Sequence, residues 1–392
     1  MQRYNFDEII DRQGFSTYKT EFAEKVFGTN DLLPLWVADM DFRTPDFIMN
    51  AIRKRCMHEI MGYTFRKGDF FAPVINWLEQ QHQWSIDSRW INFIGGVVPA
   101  IVMAINAFTK EGDGIIIQTP VYSPFMEYPK LNNRRLICNE LVLKNGRYEI
   151  DFELFEKQID ENKVKMFILC SPHNPGGRVW RMDELQKMDV ICQRYSVLVI
   201  SDEIHADLTL YNHKHHPFAS VSDTAREHSV TVMAPSKTFN MPGLASSFYI
   251  IPNPELRSIF NSYIDKLNGR GGNIFAYVAT QAAYTHGEEW LEQLKKYLQR
   301  NINFVADYIK SNLPKIKVII PQASFLVWLD FREIGIDDDE LKYILVKKAK
   351  LGLNAGTTFG PGGNGFVRLN VACPCSVLKE AMRRLKNSGI QG

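Results

Sequence analysis

Asn174, Asp202 and Lys237 each stand just beyond a short apolar run, the position from which side chains of sheet proteins reach into a cleft. Lys237 lies in Ala234-Pro-Ser-Lys-Thr-Phe-Asn240, between small and polar neighbours, after the run Ser229 to Met233. A desolvated lysine with a lowered pKa is what Schiff-base chemistry needs; taken alone, the heptapeptide reads equally as an ordinary surface lysine. Asp202 opens Asp202-Glu-Ile-His205-Ala-Asp207, and Asn174 lies in Ser171-Pro-His-Asn174-Pro175-Gly-Gly177. An acid at a strand end can keep a ring nitrogen protonated, and an amide can donate to a ring oxygen.

Four weaker signals fill the remaining roles of a site for a phosphorylated aromatic cofactor. Gly95-Gly96-Val97-Val98-Pro99 precedes a helical pattern, Ala100 to Thr109. Unpaired N–H groups at a helix start bind anions, so Gly96 and Val97 could hold a phosphate with the hydroxyl of Ser236, although such glycines more often mark a plain turn. The pattern is neither a P-loop nor a dinucleotide fingerprint. Tyr122, after the strand pattern Gly114 to Gln118, could stack on a planar ring or simply pack a loop. Arg368, alternating with Val367 and Leu369, could grip a carboxylate with its fork or point into solvent.

The elements that must position these groups follow from apolar periodicity. Met166 to Cys170, Val197 to Ile200 and Val230 to Met233 are short, apolar but for Thr231, and separated by helical segments such as Met182 to Tyr195, which predicts parallel strands buried on both faces. Ligands of such sheets bind beyond the carboxyl ends of the strands. Spacings of 28 and 35 residues between Asn174, Asp202 and Lys237 each fit one strand–crossover–strand unit, so the three can converge. Helices are predicted from Pro45 to about His58 and near Phe70 to Gln81, with a strand from Trp90 to Phe93. The later texture differs: a long amphipathic helix, Glu288 to Leu313, then strands near Lys315 to Ile320, Phe325 to Asp330 and Phe366 to Val371, with helices at Asp338 to Lys350 and Ser376 to Asn387. The expected architecture is α/β, with an N-terminal arm that is part of the small domain over 1–45, a large domain over 46–287 built on a mainly parallel sheet flanked by helices, and a smaller α+β domain over 288–392. Glycine-rich Asn354 to Gly365 is expected to move, and His213-Lys-His215-His216 to be a solvated loop.

Composition narrows the function classes. The chain has 392 residues, 45% of them hydrophobic, and a net charge of +2, which gives neither a nucleic-acid footprint nor a membrane-surface stripe. Its polar, acidic start and the lack of a spanning apolar run predict a cytoplasmic protein. Six scattered cysteines read as reduced thiols, and Cys373-Pro-Cys375 has no matching second pair, so no metal is expected.

Together the residues form the pattern of a known family. Asn174-Pro175, Asp202, Ser236-Lys237 and Arg368 resemble the fold type I pyridoxal-phosphate (PLP) enzymes of the aspartate aminotransferase superfamily. Leu35-Trp-Val-Ala38-Asp-Met-Asp41-Phe42, Gly62-Tyr63, Asp202-Glu-Ile-His205-Ala-Asp207 and Ala234 to Asn240 are similar to its MalY/PatB-like cystathionine β-lyase branch. The resemblance implies the PLP-dependent transferase-like fold, an imine at Lys237, and cofactor contacts from Gly96, Val97, Tyr122, Asn174, Asp202, His205 and Ser236. It further implies Ala38 near the substrate together with Tyr122, Asn174 and Arg368, and a homodimer in which Tyr63 enters the neighbour's site near cofactor and substrate. Many aminotransferases carry phosphate ligands three residues before and eight after the lysine; Ala234 and Ala245 stand there. Some relatives also carry a second aromatic where this chain has Ser123. The implied reaction is α,β-elimination on cystathionine or a related S-substituted L-cysteine, giving a thiol, pyruvate and ammonia. The alternatives are an aminotransferase of class I/II and, in another class, a regulatory protein-binding role.

Overall fold

The computed structural model describes residues 3–269 and 271–390. Its main sheet has seven strands: β1 (Ile91–Ile94), β2 (Gly114–Thr119), β3 (Arg135–Glu140), β4 (Val164–Cys170), β5 (Leu198–Asp202), β6 (Ser229–Met233) and β7 (Ser247–Ile250). The spatial order is β1-β7-β6-β5-β4-β2-β3. All the expected strands run parallel, and β7, which no sequence signal predicts, inserts antiparallel between β1 and β6. Every residue of β2, β6 and β7 is buried, as strands covered on both faces must be.

Helices and loops cover both faces through separate apolar cores. One face packs Ile101 and Ile105 of the helix Val97–Phe108 against Ile115, Ile168 and Val232. The other packs Leu185 and Met188 of the helix Met182–Arg194 against Phe167 and Val199. The first of these helices begins three residues earlier than the periodicity predicts. Pro99 sits in its first turn, where a missing N–H costs nothing.

Four antiparallel strands form the second sheet: β8 (Lys317–Ile319), β9 (Leu326–Asp330), β10 (Asn354–Ala355) and β11 (Phe366–Asn370), in the order β8-β9-β11-β10. The helices Glu288–Asn312 and Cys375–Asn387 bury Leu298, Ile302, Leu378 and Met382 in one core with Leu326 and Leu369. The helix expected over Asp338 to Lys350 is shorter: it is α-helical over Asp338–Tyr343, passes into a π-helical turn over Ile344–Lys348, and ends there.

The glycine-rich stretch is packed, not loose. At Gly356 an added Cβ would lie 2.0 Å from the Gly363 carbonyl oxygen, and the Phe359 carbonyl accepts the Val121 N–H at 2.9 Å. The arm joins the two sheets. Leu33–Pro34 pairs parallel with Leu351–Gly352, and residues 35–42 then cross between Asn370 of β11 and Asn240. No helix among the described residues is long and apolar enough to cross a membrane.

Candidate active site

The register of the parallel strands brings their carboxyl ends level. Cys170 lies opposite Asp202, and Asp202 opposite Val232, so the chain leaves β4, β5 and β6 at one height. There the loops deliver Asn174, Asp202 and Lys237 to a single cavity of about 330 Å³. Ala38, Tyr122, His205 and Ser236 also line it. Gly96 and Val97 form the end where the 12-residue helix Val97–Phe108 begins. Its first N–H groups have no intrahelical acceptor. A Cβ at Gly96 would fall 2.9 Å from Pro99 Cδ, so a side chain there would push against the ring that shapes this cradle.

Lys237 is half-buried against the cavity, not on the surface, and its Nζ donates to the Ala38 carbonyl at 2.6 Å. Burial lowers its pKa to about 8; the charge of Arg368 acts in the same direction, while Asp39 and Asp202 oppose it. Asp202 is 5% exposed. Burial raises its pKa to about 7, the charge of Glu203 adds to the rise, and the Ile204 N–H at 3.1 Å works against it. The two groups therefore sit near the middle of the pH scale, where protons move easily in either direction. Burial holds His205 near 3, hence neutral, and raises the Tyr122 phenol.

Arg368 is 4% exposed, which corrects the solvated alternative. It faces Trp328 and Asn354 across the second sheet and lies 4.9 Å over the Phe359 ring. Its Nη1 donates to Asn174 Oδ1 at 3.1 Å and its Nη2 to the Trp36 carbonyl at 3.0 Å. Burial lowers even its pKa, to about 10. Among the described residues Arg368 Nε and His205 Nδ1 find no partner, leaving two buried polar atoms beside the cavity for a ligand to satisfy.

The arm segment that carries Ala38 is held from both sides. Asn370 Nδ2 donates to the Val37 and Asp39 carbonyls, each at 2.6 Å. Asn240 Nδ2 donates to the Met40 and Phe42 carbonyls, and its Oδ1 accepts the Met40 N–H. Sequence reasoning missed both asparagines, although Asn370 shares a strand face with Arg368 and Asn240 closes the lysine heptapeptide. It also missed Ser246 and Ser247, which line the cavity from the start of the unpredicted β7.

One expected placement, that of His215, differs, and Tyr63 stands apart from the other candidate residues. Tyr63 does not reach the cavity of its own chain; it is fully exposed in a groove made by residues 61–66 and 271–277. His215, read as part of a solvated loop, is buried with its Nε2 2.7 Å from Glu203 Oε2. Its partner is a buried acid twelve residues earlier, and nothing local in the sequence links the two.

A parallel sheet whose strand ends gather a buried lysine, an acid and an amide under an arginine from a second sheet defines the class. The chain belongs to the family of class I and II aminotransferases, whose model matches residues 30–385. Within it, the chain is 44% identical to cystathionine β-lyase PatB of Bacillus subtilis (strain 168), over 97% of this chain and 99% of that one. Cystalysin from Treponema denticola, whose crystal structure contains a pyridoxal 5'-phosphate cofactor, superposes with a TM-score of 0.95 at 37% identity, covering 99% of both chains. The PLP-bound C–S lyase of Staphylococcus hominis gives 0.94 at 32%, covering 100% of this chain and 99% of that one.

Proposed function

We propose that the chain is a PLP-dependent carbon–sulfur lyase that performs α,β-elimination on cystathionine or a related S-substituted L-cysteine, releasing a thiol, pyruvate and ammonia. One observation carries the reading: three level strand ends bring Lys237, Asp202 and Asn174 into one cavity with Tyr122 and the helix start at Gly96 and Val97. The residues present fit the cofactor. Asp202 keeps acceptor capacity for a ring N–H, the helix start at Gly96 and Val97 with Ser236 suits a phosphate, and Tyr122 offers a ring face. The names of the relatives support the same chemistry.

Bound there, PLP supplies an electron sink for the substrate α-carbon. Asp202 holds a proton at the ring-nitrogen position, which its raised pKa and neutral His205 favour. Asn174 has its Oδ1 engaged by Arg368, so its amide N–H groups are what remain to donate to a ring oxygen. Arg368 exchanges its bonds to Asn174 and the Trp36 carbonyl for the substrate carboxylate, to which a bidentate fork is better matched. Once the substrate amine has displaced it, Lys237 Nζ would take the α-proton as general base while the thiolate leaves from the β-carbon, and water would complete the release of pyruvate and ammonia. Ala38, whose carbonyl already holds Nζ, borders the substrate position.

A second copy completes the site in this proposal. Tyr63 stands outside its own cavity, with exposed Met57, Ile60, Met61 and Phe65 around it, which supports a homodimer in which it reaches the neighbour's cofactor and substrate. A division into an arm over 1–45, a large domain over 46–287 and a small domain over 288–392 accords with the two sheets. The free cysteines accord with a cytoplasmic setting.

The rival is an aminotransferase, favoured by the description of the family. Product analysis separates the two. Homocysteine, pyruvate and ammonia released from cystathionine without any added 2-oxo acid support the lyase, and an absolute requirement for a 2-oxo acid overturns it.

A further inference from the structure

Two carboxylates beside the site take no part in the chemistry above. Glu203 Oε1 accepts from Ser201 Oγ at 2.7 Å and from the Phe218 N–H at 2.9 Å, and its Oε2 meets His215. Asp207 is more telling. Its Oδ1 accepts from Trp77 Nε1 at 2.9 Å and meets His82 Nε2 at 2.8 Å, while its Oδ2 accepts from Thr238 Oγ1 at 2.8 Å. All of these groups are buried, and Thr238 follows Lys237 on the single helical turn Pro235–Thr238. Asp202, by contrast, receives no side-chain donor among the described residues.

We propose that Asp207 is a positioning residue for Lys237, acting through the Thr238 hydroxyl. Trp77 and His82 stand on the helix Ala72–His82, whose Val74, Trp77 and Leu78 are buried, so they hold the carboxylate from a packed element and it cannot swing. The remaining oxygen fixes Oγ1, and with it the backbone at 237–238, relative to the loop that leaves β5 with Asp202. A charge-assisted hydrogen bond is shorter and stronger than a neutral one, which suits it to setting a position. The lysine amine must meet first the cofactor and then the substrate proton, and a shift well under 1 Å in its base degrades both alignments. The sequence around Lys237 hides this contact because Asp207 and Thr238 are 31 residues apart.

The inference rests on the proposed function only in taking Lys237 as the group that reacts with PLP. Its test uses the cofactor-free full chain mixed with pyridoxal phosphate, following the rate at which the visible absorption of bound cofactor appears, the cofactor Kd and the melting temperature. Thr238→Val removes the hydroxyl at nearly constant volume; it is expected to slow the reaction about tenfold while Kd moves less and the melting temperature stays within a few degrees. Thr238→Ser, which restores the hydroxyl, is expected within about twofold of the wild type. A Thr238→Val chain as fast as wild type overturns the inference, and so does a Thr238→Ser chain as slow as Thr238→Val. If Thr238→Val does not fold, Thr238→Ala is measured under the same two criteria. Turnover of cystathionine by the wild type is measured alongside: normal cofactor binding with no pyruvate overturns the lyase function and leaves the positioning result readable.

Discussion

Asp202 is held in a state that serves chemistry at the expense of stability. Burial raises its pKa to about 7, so the folded chain prefers the neutral acid more than the unfolded chain does. The sign follows: its contribution is most favourable below the ordinary carboxylate range and is lost as pH rises through about 7. Asp202→Asn is therefore expected to raise the melting temperature of the cofactor-free chain at pH 8, with the gain vanishing near pH 4, as thermal unfolding at the two pH values would record. The same variant is expected to lose at least about a hundredfold in kcat once loaded with cofactor, because the amide cannot hold the ring-nitrogen proton. Arg368 makes a different prediction. Lysine keeps the charge but not the fork, so Arg368→Lys should raise KM for cystathionine about tenfold and lower kcat less. Steady-state kinetics on both parameters checks this.

At the scale of elements, the site depends on three strand ends that were legible in the sequence and on a crossing arm that was not. Met166 to Cys170, Val197 to Ile200 and Val230 to Met233 carry their own evidence, because a short, almost wholly apolar run between helices has few other uses. The fixed spacing of Asn174, Asp202 and Lys237 then placed them together. Ser247–Ile250 left no such mark: four residues with a serine and a tyrosine carry no period, and their position is set by pairing with both neighbours. Arg368 looked solvated because alternation assigns a face without saying what covers it, and the cover is Trp36, more than 300 residues away. The Asn240 clamp was hidden for the same reason. Its side chain makes three hydrogen bonds to Met40 and Phe42, so Asn240→Ala is expected to cost about 2 kcal/mol in denaturant-induced unfolding, water replacing part of what is lost. A cost near zero would mean that Asn370 alone holds the arm.

At the scale of the whole molecule, the stretch from Met57 to Phe65 exposes five large apolar or aromatic side chains, Met57, Ile60, Met61, Tyr63 and Phe65. If Tyr63 serves the neighbour's site, Lys237→Ala and Tyr63→Ala chains, each impaired alone, should restore one another when mixed. Random exchange of subunits would recover roughly a quarter of the wild-type activity per chain, since half of the dimers then hold one intact site of two. Recovery near zero after verified subunit exchange would place Tyr63 outside the neighbour's chemistry. The central claim, that Lys237 is the residue through which this fold holds its cofactor and turns over a thioether amino acid, has a more direct test. The visible spectrum of the purified protein, recorded before and after addition of cystathionine, should show a bound-cofactor band that the substrate perturbs and that Lys237→Ala abolishes. A band that persists unchanged in Lys237→Ala, or no band in a wild-type chain given pyridoxal phosphate, would contradict it.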